Sequence, residues 1–389
     1  MKICVFAHVP PPMHGQAYMT QLLLQVLQEW RSKDSDAPEV FHVDTRVSRQ
    51  AQEIGGMQPG KLLRLSGYIF QAVWARIWGR CTHLYYIPAP AKKSAILRDL
   101  LVLSVLRPWY PHLILHWHAM GLGSWVAGTI ALFPGFLESW MRKRLRCLLA
   151  EADEAWILKD AFAEEVKKFS PKKIRLLVNG IPDLFPDYDA RLADRRERRA
   201  EQLGRMAGER QPKGRLRFLH LGLCSRDKGI FLMLGFLREW VQAYPLSVPS
   251  LKMCGTFVSP EVEAEFRKAS QGLQVEIAGP VAGREKRACL EEADALLFFS
   301  QLPETMGLVV LEAMSAGLLP LVSQGQGVES VLEGTGLPAV NLDEAKEGVG
   351  QALQRYRPDQ LRALFLSRYS LPVFASEIRQ AIQELPRST

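Results

Sequence analysis

The cysteines of this chain come neither in pairs nor in clusters. Cys4, Cys81, Cys147, Cys224, Cys254 and Cys289 are scattered, with no CxxC among them. That spacing excludes a disulfide scaffold or a zinc finger and predicts reduced, buried thiols in a cytoplasmic protein. No Asp/His cluster with metal-ligand spacing is visible, so no metal and no cofactor is expected. No internal repeat and no low-complexity tract is visible, which argues against a solenoid. No targeting segment stands out. Met1-Lys2-Ile3-Cys4-Val5-Phe6-Ala7 is apolar but short, is soon followed by His8 and three prolines, and reads as a first buried strand. Residues 108–137 contain no Lys, Arg, Asp or Glu. A membrane-spanning helix needs about 20 mainly apolar residues. Here His112 to His118 reads as a strand, and Gly121, Gly123 and Pro134-Gly135 interrupt the rest, so no span is expected.

What is present suits packed α/β domains. The chain has 389 residues, 48% of them apolar, enough for two domains of ordinary size. Strand-like runs fall at residues 2–7, 40–43, 84–87, 113–117, 154–158 and 174–178, with helical patterns between several of them. A second series falls at 217–221, 250–254, 274–277, 295–299 and 319–322. Alternation of this kind predicts parallel sheets covered on both faces. Residues 183–213, with Arg195-Arg196-Glu197-Arg198-Arg199, read as a solvated charged helix leading into a linker. The net charge of +8 is concentrated: residues 51–150 hold 12 Lys and Arg against 3 Asp and Glu. Trp74, Ile77 and Trp78 lie among Arg76 and Arg80, and Arg142-Lys143-Arg144 forms a second basic cluster. Basic helices bearing Trp suit an anionic membrane surface, while no motif for nucleic acid accompanies the charge.

Two carboxylates carry the functional reading. Glu304 and Glu312 stand eight apart in Pro303-Glu304-Thr305-Met306-Gly307-Leu308, continuing to Ser315 and Gly317. The apolar run before them predicts a buried strand, Gly307 a turn, and the residues after it a helix. In open α/β sheets the C-terminal strand ends form the ligand crevice. Carboxylates there accept from hydroxyls, and N–H groups around Gly307 can hold an anion. A nucleotide sugar has both features. The stretch 294–332, with Asp294, Ser300, Pro303-Glu304, Gly307-Leu308, Glu312-Ala313-Met314, Gly317, Gly325, Gly327 and Glu329, resembles the E-x7-E segment of retaining glycosyltransferases of family 4, whose fold is GT-B.

The resemblance extends to looser pieces. Gly15, in Pro10-Pro11-Pro12-Met13-His14-Gly15-Gln16, resembles the family glycine beside the donor diphosphate; His14 stands where the family often has a first glycine. His118 resembles the histidine beside the transferring sugar, and by strand alternation His116 belongs to the packing. Cys224-Ser225-Arg226-Asp227-Lys228-Gly229 resembles the Gly-Arg…Lys-Gly loop that neutralises the diphosphate. Lys228 matches, but the family arginine is replaced by Leu223, leaving Arg226 as a candidate substitute. Asn179-Gly180-Ile181-Pro182-Asp183 reads as a boundary turn, and Gly279-Pro280 resembles a loop near the nucleotide base.

The resemblance thus implies a GT-B fold of two Rossmann-like doubly wound domains facing across a cleft. The expected division is 1–183, a charged linker 184–215, a nucleotide-sugar domain 216–365, and a C-terminal helix in 366–389 packing back on the first domain. The implied enzyme is a retaining glycosyltransferase using a nucleotide-diphosphate sugar. His118, Lys228 and Glu304 are its expected catalytic residues. Gly15, Arg226, Met306, Gly307, Leu308 and Glu312 are expected to bind the donor. The opening loop and Ile96-Leu97-Arg98-Asp99 look most like bacterial polysaccharide-assembly members. They suggest a lipid-linked glycan acceptor at the inner face of the cytoplasmic membrane. Alternatives are a catalytically silent GT-B partner protein at the membrane and a GT-B enzyme acting on soluble acceptors.

Overall fold

The computed structural model describes residues 1–11, 14–46, 59–209 and 214–387. Pro12 and Met13 of the opening loop, residues 47–58 of the basic region and residues 210–213 of the expected linker lie outside the described residues. The chain forms two compact units: Met1–Asn179 with Phe374–Thr389, and Gly180–Val373.

The first unit is built on six parallel strands: β1 Lys2–Phe6, β2 Glu39–Val43, β3 His83–Tyr86, β4 His112–Trp117, β5 Glu154–Ile157 and β6 Ile174–Leu176. Their spatial order is β2-β1-β3-β4-β5-β6. β3 and β5 are buried at every position, and β4 at all but its first residue, as a strand covered on both faces requires. The order reverses at β1. Right-handed crossovers therefore put helix Gly15–Lys33 on one face and helices Pro59–Ile77, Lys93–Leu106 and Gly135–Leu149 on the other. The chain returns to this unit at its end, where His83 donates from Nε2 to the Pro386 carbonyl at 2.9 Å and Glu384 pairs with Lys173 and Arg175.

The second unit has five parallel strands: β7 Gly214–Leu221, β8 Ser247–Cys254, β9 Gln274–Ile277, β10 Ala295–Phe298 and β11 Leu319–Val322. They are ordered β11-β10-β7-β8-β9, so this sheet reverses between β7 and β10. The eleven strands among the described residues overlap the eleven strand-like runs read from the sequence.

Two expectations need correction. The charged stretch before β7 is not simply solvated. Helix Ala193–Gly208 lies in the second unit and buries Arg196 to 2% exposure. The Arg196 guanidinium donates to the carbonyls of Ala316 at 3.2 Å and Ala293 at 2.8 Å, and also to that of Leu290. Arg199 and Arg217 both bind the buried Asp294 carboxylate. Arg196 and Asp294 are buried because each has fixed partners, whereas Arg199 is half-buried and Arg217 exposed. Cys147 is the second exception: it is exposed, while the other five cysteines are buried, and all six are free thiols. Among the described residues no helix is long and apolar enough to cross a membrane, as the broken stretch 108–137 predicts.

Candidate functional site

In the second unit the ligand crevice is defined by topology. A doubly wound sheet opens at the C-terminal ends of the strands flanking its reversal point, here β7 and β10. The loop after β7 carries Arg226 and Lys228; the loop after β10 carries Ser300 and Glu304. The two loops are tied by backbone, Gln301 N–H donating to the Asp227 carbonyl at 2.7 Å. Gly229 makes the approach possible. At φ 74° it begins helix Ile230–Ala243, and a Cβ there would sit 1.9 Å from the Phe299 carbonyl oxygen.

Lys228 Nζ meets Glu304 Oε1 in this frame, and the Ser300 hydroxyl donates to the same oxygen at 2.7 Å. The Lys228 ammonium also lies 5.9 Å from the Phe298 ring centre. Glu304 is held through its own backbone as well, its N–H donating to the Gln326 carbonyl at 2.8 Å. Both charged side chains are only partly exposed, Lys228 30% and Glu304 16%. A cation and an anion can thus face the same ligand from adjoining loops.

Gly307 follows at φ 59°, the left-handed conformation that the turn requires, and caps helix Leu308–Ser315. A Cβ at Gly307 would press to 2.8 Å from Val328 Cγ2. Met306 is buried against this turn, while Gly307 and Leu308 are half-buried. The first N–H groups of any helix lack intrahelical acceptors and attract anions. Glu312 lies one turn further along and is 9% exposed. Its Oε1 accepts from Lys286 Nζ at 2.9 Å, whereas its buried Oε2 has no protein partner. An unsatisfied buried carboxylate oxygen is costly, so a hydroxyl donor from outside the protein would complete it.

Arg226 is placed differently. Its guanidinium pairs with Glu265 and lies 4.6 Å from the Phe231 ring centre. It is committed to helix Pro260–Ala269, not to the Lys228–Glu304 pair. Lys286 was missed in the sequence. It stands on helix Gly283–Glu292, outside any motif, and no periodicity marks it as the partner of Glu312.

In the first unit the order reverses between β1 and β3. Gly15 opens the helix after β1, with His14 as its cap. The His14 Nδ1 accepts from Ala17 N–H at 3.4 Å, so its proton is on Nε2, which meets His8 Nε2 at 2.6 Å. His118 follows β4. Its ring stands 4.2 Å from that of His116, whose Nδ1 shares a 2.6 Å hydrogen bond with the Tyr85 hydroxyl. Burial, then the neighbouring His8 and His14, push the His118 imidazole down to about 3. Burial, then His14, lowers His8 to about 4. Burial also lowers His14, and drives His116 well below the ordinary histidine value. All four rings are neutral near pH 7: donors and acceptors rather than cations. His116 is packing, as strand alternation predicts. His8 and His14 were not read as a pair, because only the fold brings residues six apart across a turn. Among the described residues no group of three or more His, Cys, Asp or Glu could hold a metal ion.

Residues 206–355 match the family model described as glycosyl transferases group 1. No curated protein matches the chain in sequence. Solved structures align along almost its whole length. Anabaena Alr3699/HepE in complex with UDP and glucose shares 14% identity over 99% of this chain and 100% of its own, with a TM-score of 0.60. Sucrose-phosphate synthase from Thermosynechococcus elongatus shares 14% identity over 99% of each chain, at 0.66. WaaG, a glycosyltransferase involved in lipopolysaccharide biosynthesis, shares 15% over 98% of this chain and 95% of its own, at 0.55. The fold is GT-B, with two parallel-sheet α/β domains.

Proposed function

We propose that this protein is a retaining glycosyltransferase of family 4 type that moves a sugar from a nucleotide-diphosphate sugar to an acceptor hydroxyl. The observation that carries the reading is the meeting of Lys228, Glu304 and the Glu312 helix at the reversal point of the second sheet, inside the segment that matches glycosyl transferases group 1. UDP and glucose in the HepE structure support a nucleotide sugar as ligand.

In this reading Glu304 accepts hydrogen bonds from the sugar's hydroxyls, and the ribose hydroxyls supply the missing donor to Glu312 Oε2. The N–H groups of Met306, Gly307 and Leu308 meet the sugar or diphosphate. Lys228 leaves its ion pair with Glu304 in part to stabilise the leaving diphosphate, where negative charge grows as the bond breaks. Gly15 lets backbone approach phosphate, and the neutral His118 lines the sugar. The acceptor oxygen bonds to the anomeric carbon on the face from which the diphosphate leaves. A phosphate oxygen of the leaving group takes the acceptor's proton. The acceptor we propose is a lipid-linked glycan in bacterial surface polysaccharide assembly, at the inner face of the cytoplasmic membrane.

Thermal-shift screening of nucleotide sugars identifies the donor, and calorimetry on Glu312→Ala then tests the site. Loss of the carboxylate leaves ribose hydroxyls unpaired and weakens donor binding by about 1–3 kcal/mol, with the fold intact. Unchanged affinity would remove Glu312 from the ribose. Release of free sugar from the donor by the purified protein separates an enzyme from a silent partner protein.

A further inference from the structure

The first unit has a face unlike the rest of its surface. Helices Pro59–Ile77, Lys93–Leu106 and Gly135–Leu149 pack side by side on one side of the sheet. Each buries one apolar stripe against the strands and exposes another. On the first helix Leu63, Phe70, Trp74 and Ile77 are exposed, while Leu65, Ile69, Ala72 and Ala75 are buried. On the second, Leu97, Leu101 and Val105 recur at every fourth position, all more than a third exposed. On the third, Phe136 is 88% exposed and Trp140 60%. Of 22 exposed large apolar side chains among the described residues, 13 lie between Leu63 and Trp140. A soluble surface does not concentrate them so.

Tryptophan sharpens the point. Trp74, Trp78, Trp109 and Trp140 are 44–62% exposed, and the other five tryptophans are at most 6% exposed. All four exposed indoles therefore belong to these helices and the loops at their ends. Trp74 and Trp78 stack with ring centres 4.0 Å apart, and Arg76 donates to the Trp109 carbonyl at 2.7 Å. The charge pattern is equally one-sided. From residue 59 to 150 the sequence holds two acids, Asp99 and Glu138, and both are buried. Asp99 is consumed by Tyr86, the Ala89 N–H and Arg98; Glu138 by Trp125, the Leu132 N–H and Arg142. The cations Arg80, Lys92, Lys93, Lys143 and Arg144 are exposed.

We propose that this three-helix face inserts into an anionic bilayer, its aliphatic stripes reaching the acyl chains, its tryptophans at the headgroup boundary and its cations on lipid phosphate. The inference deepens the membrane part of the function proposed above and rests on it. Charge chooses the occupant. A second copy of the same face would set cation against cation with no exposed acid to answer it. A nucleic acid would meet the cations but leave the Leu and Val stripes in water. Interfacial helices that combine a wide apolar face with Lys and Arg lie in the plane of the membrane.

The test uses the full-length protein with vesicles of phosphatidylglycerol and phosphatidylcholine, or of phosphatidylcholine alone, some carrying brominated acyl chains. Expected results are quenching of tryptophan emission by brominated lipid and preferential binding to the anionic vesicles. A fraction should stay bound at 0.5 M salt, held by burial that salt does not screen. The exposed-position variant W74S/W78S/F136S/W140S should lose that salt-resistant fraction, with affinity down about tenfold or more per aromatic removed. K92S/K93S/K143S/R144S should lose the anionic preference and keep the quenching. Donor binding should be unchanged in both, so the membrane inference and the donor site stand or fall separately. Complete release by salt with no quenching would overturn insertion. So would dimerisation that shields the tryptophans without lipid, or binding of RNA in preference to vesicles.

Discussion

At the scale of single residues, the donor site depends on a competition between charges. Lys228 and Ser300 both bind Glu304 Oε1, so in the proposed reading the lysine exchanges this ion pair for phosphate while Ser300 keeps Glu304 in place. Arg226 is engaged elsewhere, paired with Glu265 and lying over the Phe231 ring, and Leu223 stands where the resemblance implies an arginine. The burden on Lys228 is accordingly large. Lys228→Ala should lower kcat by roughly 10²–10³ while donor affinity changes less, since the stabilised charge develops as the sugar bond breaks. Steady-state rates beside calorimetric affinities separate the two effects. Near-full turnover would place the clamp elsewhere, and Arg226→Ala would then show whether that side chain swings across. Glu304, Glu312 and Lys228 could be found in the sequence because each stands in a contiguous pattern around a glycine turn. Lys286 could not, since its partnership with Glu312 exists only across two helices.

At the scale of elements, strands were legible and charged helices were not. A parallel strand buried on both faces is an unbroken apolar run, and β10, Ala-Leu-Leu-Phe, announces itself. Helix Ala193–Gly208 hides its role, because the arginine that five other charged residues surround in sequence is the one driven inside to four carbonyls. The histidines after β1 and β4 are a third case: His118 was marked by resemblance, but its neighbours His8 and His14 emerge only from the turn that folds them together. Their packing has a measurable consequence. Lowered imidazole values mean that the fold prefers the neutral rings, so unfolding takes up protons once pH drops below the ordinary value of 6.5. The stabilisation is complete above 6.5 and declines as pH falls towards about 4 for His8 and 3 for His118. The unfolding free energy of the first unit should therefore fall as pH drops from 6.5 to 4.5, by at most about 1.4 kcal/mol per pH unit for each ring, and its unfolding midpoint with it. His8→Gln should flatten the profile. Eight of the nine tryptophans belong to this unit, so their fluorescence follows it. A midpoint constant over that range would contradict this account of the histidines.

At the scale of the whole molecule, the chain leaves the first unit at Asn179, builds the second to Val373, and comes back. Composition and strand alternation made two α/β units legible; that a C-terminal helix packs back on the first was implied by the resemblance alone, because an amphipathic helix carries no address. The address is in the contacts. Phe374, Ile378, Ile382 and Leu385 are buried, Glu384 lies between Lys173 and Arg175, and the Pro386 carbonyl accepts a hydrogen bond from His83 Nε2. Burying four such side chains contributes roughly 6–12 kcal/mol, against a net stability of about 5–15 kcal/mol for a typical domain. A chain ended at Val373 should therefore lose the first unit and keep the second, which contains every member of the Lys228, Glu304 and Glu312 constellation. Tryptophan emission should move to the red, apart from the signal of Trp240, while limited proteolysis should leave a fragment close to Gly180–Val373. If the shortened chain unfolded at the same midpoint as the full one, the terminal helix would be a passive strap, and the first unit's stability would come from β1 to β6 and their own helices alone.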